Sequence, residues 1–380
     1  MKKIYWRPQK ISSRVLFLIF LTSVVCYITV LRFDVKKKLP HFKDKIAAAK
    51  LAQNAFELVK EERLRKNIPI DSESDPGETG LIGTISSPVT TNSGYLPAKR
   101  TSVNPNFAAV VVQYLKSLGI KKDDVVAVGI SGSFPAMNIA VYSAIETLGA
   151  KAIVVSSAGS SQWGANTPGF LWPDIENLLF SKKVFSIRAD GVTLGGIDDK
   201  ALGLSADGKK IMEDSITSNG YNFLKVKNYP DSLEKKMTLY RELAGDRPIK
   251  AYVNVGGGTT SVGTKLGKFK FHSGINKKLP IGTSGIDSVM TRLVQEGVPV
   301  IHLTKVDELS TRYGFPEQPK TMPKVGEGKI YTTEEPNKLL AAIALVVIFS
   351  VLYVLVRLDW GFRLFGVSSP KKNSYPEQMV

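Results

Sequence analysis

The stretch Asp124–Ser157 constrains the fold more than any other part of the chain. It contains, in order, an apolar run over 125–130, the turn Ser131-Gly132-Ser133, a predicted helix from about 135 to 148 and an apolar run over 152–155. Ser133 is placed to cap the helix, Pro135 fits its first turn, and Gly149 supplies a left-handed end. Two short apolar strands joined by a crossover helix predict neighbouring parallel strands that are buried on both faces.

The alternation of strands and helices continues as far as Leu303. Further strands are predicted at 183–188, 221–226, 249–255 and 297–303, and further helices at 104–118, 205–219, 231–243 and 284–295. This pattern is typical of an α/β fold, an open, mostly parallel sheet with helices on both faces. Ligands of such sheets bind beyond the carboxyl ends of the strands.

Two segments, Val15–Leu31 and Leu339–Val356, are uncharged and long enough to cross a membrane. Lysine and arginine precede the first segment and follow the second, which predicts that both termini are cytoplasmic and that the body of the chain lies outside. The expected location is therefore the cytoplasmic (inner) membrane. A cleaved signal peptide is the alternative for the first segment, but no small-x-small cleavage site follows its apolar core.

Between the two predicted spans, 43–66 carries Ile46, Ala49, Phe56 and Val59 at helical spacing among many charges, which predicts an amphipathic stalk or docking helix. The predicted organisation is a basic cytoplasmic N-terminus (1–14), a transmembrane helix (15–31), a juxtamembrane stalk (32–70), an α/β domain (71–330), a second transmembrane helix (339–356) and a basic cytoplasmic tail (357–380).

Composition points to an anionic partner. The chain has 380 residues, 43% of them hydrophobic, and a formal net charge of +17. Such a surplus favours a membrane surface, nucleic acid or an acidic polymer, although juxtamembrane basic residues account for about half of it. Cys26 is the sole cysteine, which excludes an intrachain disulfide and a CxxC metal site.

Four segments that follow predicted strands are expected to meet at one edge of the sheet and to form a ligand site. The candidate ligand-binding residues are Ser131, Gly132, Ser133, Trp163, Asn166, Asn254, Gly256, Gly257, Gly258 and His302, together with the basic pair Lys99 and Arg100. The basic pair either holds an anion or is simply solvated. Trp163 either stacks on a ligand or covers the sheet, whereas packing is the interpretation for Trp172.

The glycine-rich turn at 129–133 leads into a helix, so its N–H groups are candidates for binding phosphate or carboxylate. Glycines at the ends of buried strands also serve packing alone. Neither this turn nor Gly256-Gly257-Gly258 matches a Walker loop or a GxGxxG fingerprint, so no particular cofactor is indicated. His302 has no second histidine to support a metal site.

The same turn is one residue away from the Gly-x-Ser-x-Gly nucleophile elbow, because Ser133 stands where the motif has its last glycine. Ser131, Asp287 and His302 follow the chain order of an α/β-hydrolase triad, which makes a cell-envelope hydrolase with Ser131 as nucleophile the alternative function. His302 is equally interpreted as a hydrogen-bonded core residue. The residues by themselves assign no catalytic role.

Several motifs together resemble the bacterial poly-gamma-glutamate system protein family over most of the chain, from the N-terminus to about Gly314. They are Tyr5-Trp-Arg-Pro8, Gly80-Leu-Ile-Gly83, Ala98-Lys-Arg-Thr-Ser102, Asn104-Pro-Asn-Phe-Ala108, Gly129-Ile-Ser-Gly-Ser-Phe-Pro135, Trp163-Gly-Ala-Asn166, Val253-Asn-Val-Gly-Gly-Gly258 and Gly297-Val-Pro-Val-Ile-His302. The resemblance implies a membrane component of the machinery that makes or exports poly-gamma-glutamate capsule. It carries no catalytic residues over to this chain.

The leading hypothesis is thus a membrane-anchored accessory protein of poly-gamma-glutamate synthesis or export. Its expected partners are the membrane, the polyanion and membrane synthase subunits of the same system, and not nucleic acid. A scaffold that only holds synthase subunits together is a third possibility.

Overall fold

The structure, a computed structural model, describes residues 13–263 and 265–357. The predicted cytoplasmic ends, apart from residues 13, 14 and 357, lie outside the described residues, as does the motif Tyr5-Trp-Arg-Pro8. The described chain divides into two units, one made of 13–38 with 332–357 and the other of 39–331.

The helices are α1 (Ser13–Arg32), α2 (Phe42–Arg65), α3 (Leu96–Ser102), α4 (Phe107–Ser117), α5 (Pro135–Leu148), α6 (Trp172–Ser181), α7 (Ala206–Ser218), α8 (Tyr229–Ala244), α9 (Thr259–Val262), α10 (Lys265–Lys270), α11 (Val289–Gln295), α12 (Val306–Tyr313) and α13 (Lys338–Leu352). The strands are β1 (Val35–Lys38), β2 (Thr90–Asn92), β3 (Val125–Gly129), β4 (Lys151–Ser157), β5 (Ser160–Ser161), β6 (Asn166–Thr167), β7 (Phe170–Leu171), β8 (Gly191–Thr193), β9 (Ile249–Val255), β10 (Gly274–Asn276), β11 (Val300–Leu303) and β12 (Thr332–Glu335).

The smaller unit contains α1, α13 and an antiparallel ladder of β1 with β12. The segments Ser13–Arg32 and Lys338–Leu355 have mean hydropathies of 2.3 and 2.6, and each is long and apolar enough to cross a membrane. The two helices pack against each other. The ladder joins the strand that follows α1 to the strand that precedes α13, so the two helices run in opposite directions.

The larger unit is built on a six-stranded sheet in the order β10-β11-β9-β3-β4-β8, which confirms the predicted α/β fold. All neighbours are parallel except β10, which runs antiparallel to β11 at one edge. The predicted boundaries of α5 and β9 are confirmed, because in both segments the local pattern and the end signals agree.

Helices cover both faces of the sheet. Val126 and Val128 of β3 belong to one apolar core with side chains from α2, α4 and α5, whereas Val125 and Ala127 belong to a second core with α8 and α11. Successive strand residues point to opposite faces, so a strand covered on both sides is apolar throughout. This explains why β3 appears in the sequence as a continuous apolar run.

The expected stalk is instead a core helix of the α/β unit. Ala48, Ala52 and Phe56 of α2 are fully buried, and the helix packs against α4 and α5. The unit therefore begins at Leu39 and not at residue 71. A charged helix with a narrow alanine stripe has the same pattern whether it lies against a membrane or against other helices.

Two predicted strands, 183–188 and 221–226, are wrong. The first is irregular, with Phe185 and Ile187 buried singly from a loop, and the sheet uses Gly191–Thr193 instead. In the second, Phe223 forms only an isolated bridge with Val192. The predicted helix 284–295 starts later, at Val289, where the Ser288 hydroxyl accepts from the Thr291 N–H at 3.1 Å.

Candidate functional site

The segments that follow β3, β4, β9 and β11 meet at one edge of the sheet, as the sequence predicted. Gly129 at the end of β3 is paired with Val155 of β4 and Asn254 of β9, and Asn254 is paired in turn with His302 of β11. After β3 the chain forms β4 and β8 on one side of β3, and it then forms β9 and β11 on the other side of β3. The strand order therefore reverses between β3 and β9. Ligands of open α/β sheets bind at such a switch point.

A cavity of about 20 Å³ lies at this switch point. Its wall includes Ser131 after β3, Ser157 at the end of β4, and Gly258 and Ser261 after β9. A volume of this size holds one or two water molecules or a single small polar group. The side chains of Asp199, Lys236 and Tyr240 complete the lining.

Asp199 and Lys236 form an ion pair in the wall of the cavity, with Nζ and Oδ2 2.7 Å apart and both side chains 8% exposed. The hydroxyls of Ser232 and Thr260 each donate to Oδ2 at 2.5 Å, and that of Thr193 donates to Oδ1 at 3.1 Å. Lys236 Nζ also donates to Thr260 Oγ1 at 2.7 Å. The carboxylate is thus held by hydrogen bonds from three elements, α8, α9 and β8.

Burial alone raises the pKa of Asp199, but the Lys236 ammonium and the hydrogen bonds from Lys236, Ser232 and Thr260 outweigh it and hold the pKa below the usual value. The loop that presents Asp199 is strained, because Asp198, Asp199 and Ala201 all have left-handed backbone angles. Non-glycine residues adopt these angles at a cost and concentrate at functional sites.

The turn Ser131-Gly132-Ser133 is partly covered by the loop that follows β4. The Gly132 N–H donates to Gly159 O at 3.1 Å, and the Gly132 carbonyl accepts from the Ala165 N–H at 2.7 Å. The prediction that Ser133 caps α5 is wrong. Its Oγ accepts from the Ser161 N–H at 3.1 Å, which holds the loop, whereas the N-cap position of α5 is Phe134. The Gly132 N–H is therefore already engaged, and Ser131 is the residue of this turn that lines the cavity.

Lys99 and Arg100 are separated by the fold. Lys99 is buried, with Nζ donating to Ser133 O and to Ser161 Oγ and lying 3.9 Å from the centre of the Phe134 ring. Arg100 donates instead to the carbonyls of Glu73 and Ser74. Lys99 thus supports the turn beside the cavity, whereas Arg100 holds a distant loop.

Trp163 and Asn166 organise the loop after β4. Trp163 is half-buried with a left-handed backbone, and its backbone N–H donates to Thr84 O at 2.8 Å. The buried Asn166 amide accepts from the Thr84 N–H at 3.0 Å and donates to Thr84 O at 2.8 Å. Trp172 is fully buried against Tyr142, as the packing interpretation predicts.

His302 is fully buried, and its Nδ1 lies 3.0 Å from Asn254 Nδ2, an arrangement typical of the core histidine that was one of its two interpretations. Asp287 is exposed, and both of its carboxylate oxygens accept from Arg292, at 2.6 and 2.7 Å. Since Asp287 and His302 are engaged with these other residues, the geometry lends no support to the Ser131–Asp287–His302 triad.

Gly256 has a left-handed backbone angle of 82° that favours glycine, whereas Gly257 and Gly258 are exposed and lead into α9. Among residues 13–263 and 265–357, no group of three or more His, Cys, Asp and Glu side chains could hold a metal ion.

No protein-family model, curated protein or solved structure matches this chain. The site is consequently defined by its own geometry. Sequence reasoning missed Asp199, Lys236, Thr260 and Ser157. A signal was present for Asp199, because Gly195-Gly196-Ile197-Asp198-Asp199 directly follows an apolar strand, but nothing local distinguishes Lys236 from its neighbour Lys235.

Proposed function

We propose that this protein is a membrane-anchored accessory component of poly-gamma-glutamate biosynthesis or export, and that its α/β unit binds the polyanion. The family resemblance of the sequence motifs suggests the pathway. The two apolar helices supply the anchor in the cytoplasmic membrane, with the α/β unit outside the cell membrane and the synthase subunits as neighbours.

The observation that carries the proposal is a long acid-free stretch at the ligand-binding edge of the sheet. From Gly256, just after β9, to Ser273, just before β10, there is no acidic residue, while three residues are lysine. Part of this stretch is α10, in which three of six residues are lysine and which lies between the end of β9 and the start of β10. Ser273, just after α10, donates to Thr304 O beyond the end of β11 at 2.6 Å, so the segment belongs to the carboxyl edge.

The arrangement of the anchor also supports the proposal. Because β1 and β12 pair at the end of α1 and the start of α13, these two helix ends lie together, and the start of α1 and the end of α13 lie at the opposite end. Two antiparallel spans place both termini on one side of a membrane. The basic residues before α1 and after α13 favour the cytoplasm for that side.

The test is retention of the detergent-solubilised full chain on immobilised poly-gamma-glutamate over a range of salt concentrations. We expect binding that weakens as salt rises, because screening acts on contacts between exposed charges. The triple variant Lys265→Gln/Lys268→Gln/Lys270→Gln should elute at markedly lower salt than the wild type.

The matched control is Lys121→Gln/Lys122→Gln/Lys151→Gln, which removes the same charge at the amino ends of β3 and β4, on the opposite edge of the sheet. It should elute close to the wild type. Equal losses in the two variants would mean that net charge alone drives retention, and retention independent of salt would contradict polyanion binding altogether.

A further inference from the structure

The switch-point cavity has more hydrogen-bond donors than the protein uses. A lysine ammonium has three donors, and two of those of Lys236 go to Asp199 Oδ2 and Thr260 Oγ1. Lys236 lines the cavity, and in the described part of the chain no acceptor takes the third donor. The unused donor is therefore available to whatever occupies the cavity.

Ser157 supplies a second unused donor. It ends β4, is only 7% exposed and lines the same cavity, and its hydroxyl makes no hydrogen bond within residues 13–263 and 265–357. A buried hydroxyl without a partner costs free energy, so such groups normally face a water molecule or a ligand. Ser131, which is half-buried, adds a third lining group, whose hydroxyl oxygen accepts from the Ser133 N–H at 3.3 Å and whose proton, within the described residues, is free to be donated.

The acceptors in the wall are already occupied. Asp199 accepts from Lys236, Ser232, Thr260 and Thr193, which leaves its charge neutralised and its oxygens engaged. An incoming anion therefore finds donors from one ammonium and two hydroxyls, and the Asp199 carboxylate in the wall already accepts four hydrogen bonds. With about 20 Å³ of space, the cavity admits one small acceptor group and not a whole sugar or nucleobase.

We infer that this cavity is a subsite for a single carboxylate group of an anionic polymer, held by Lys236 Nζ and by the hydroxyls of Ser157 and Ser131. The inference rests on the proposed function, which supplies a polymer with one pendant carboxylate on every residue. The acid-free segment 256–273 attracts the polymer as a whole, and the cavity takes one carboxylate and sets the register of the polymer on the sheet edge.

The experiment measures binding of short poly-gamma-glutamate and of glutarate to the detergent-solubilised full chain by calorimetry. Ser157→Ala should weaken both by about tenfold, because it removes a hydrogen bond to a charged acceptor. Ser156→Ala is the matched control, since Ser156 is the neighbouring buried serine, its hydroxyl also lacks a partner, and alternate strand residues point to opposite faces. Ser156→Ala should leave both affinities unchanged.

Two outcomes overturn the inference. If Ser157→Ala and Ser156→Ala both bind the polymer as tightly as the wild type, the cavity holds only water and the polymer binds elsewhere. The proposed function then still stands. If the wild type binds neither ligand, both ideas fail. Glutarate binding that is lost in Ser157→Ala, without any polymer binding, would support the carboxylate subsite and contradict the proposed function. Thermal unfolding of each variant verifies that it is folded.

Discussion

Two buried carboxylates in this protein, Glu176 and Asp199, have opposite pKa shifts. Burial raises the pKa of Glu176, whose partners are hydroxyls and the Ala189 N–H, and these do not compensate. Asp199 is buried equally well, but its pKa is lowered, because an ammonium adds Coulomb attraction to hydrogen bonds of the same kind. Asp199 therefore contributes stability above its unfolded-state pKa that is lost as the pH falls through its folded-state pKa, and Glu176 acts in the opposite direction.

The ion pair can be tested by Lys236→Met, which leaves the Asp199 carboxylate buried without a counter-charge. We expect a loss of about 3–5 kcal/mol in the free energy of unfolding at neutral pH. The loss should shrink as the pH falls from neutral, because without the ammonium burial raises the pKa of Asp199 and its protonation removes the uncompensated charge. Urea unfolding monitored by tryptophan fluorescence across this pH range measures both effects.

Lys235→Ala is the control, because Lys235 lies on the same helix and pairs with Asp231 at 2.9 Å, but with its side chain 40% exposed. It should change the free energy of unfolding by less than about 1 kcal/mol. A loss as small as this in Lys236→Met would show that the network is not held together by charge.

Among the elements, α2 shows that one short-range pattern of apolar and charged residues fits two environments, a membrane surface and the packed core of a domain. Its alanines at 48, 49, 52 and 55 allow α4 and α5 to approach closely, while its charged residues other than Lys45 and Arg63 are at least partly exposed. Arg63 is buried near its end and donates to the carbonyls of Gly80 and Ile82 at 2.9 and 2.7 Å. These contacts make the helix part of the core and tie the chain that follows to it.

Phe56→Ala distinguishes a core helix from a stalk. Phe56 is fully buried, so truncation should cost about 3–5 kcal/mol in the free energy of unfolding through lost burial and a residual cavity. Leu64→Ala, on the same helix but 52% exposed, should have little effect. Denaturant unfolding of the two variants gives the comparison, and similar small losses in both would indicate that α2 does not pack on the sheet unit.

For the whole molecule, the charge is shared between the two units. Residues 39–331 contain 37 Lys and Arg and 29 Asp and Glu, a net +8, and the remaining residues carry the other +9 of the total of +17. The sequence expectation that about half of the surplus lies near the membrane segments agrees with this division. The α/β unit retains enough positive charge to attract a polyanion.

The proposed topology makes a labelling prediction, which uses the single cysteine. In a Cys26→Ser background, Lys209→Cys should react with a membrane-impermeant maleimide in intact cells, because α7 belongs to the α/β unit. Ser374→Cys in the C-terminal tail should react only after permeabilisation. Labelling of Ser374→Cys in intact cells, or protection of Lys209→Cys, would contradict an external α/β unit.

Local pattern determined the alternation of strands and helices from β3 to β11, the exact limits of α5 and β9, and two helices long and apolar enough to span a membrane. Periodicity, caps and apolar length are properties of neighbouring residues, so the sequence by itself specifies them. The strands predicted at 183–188 and 221–226 failed because single buried side chains in loops resemble short strands.

Tertiary structure alone decided the strand order, the switch point between β3 and β9, and the burial of α2. It also brought Asp199 and Lys236 together across 37 positions of sequence and placed Ser157 in the wall of the same cavity as that lysine. The physical reason is that sheet pairing and ion pairing act between residues that are distant in the chain. No local pattern records which lysine of a helix will meet a carboxylate in the interior.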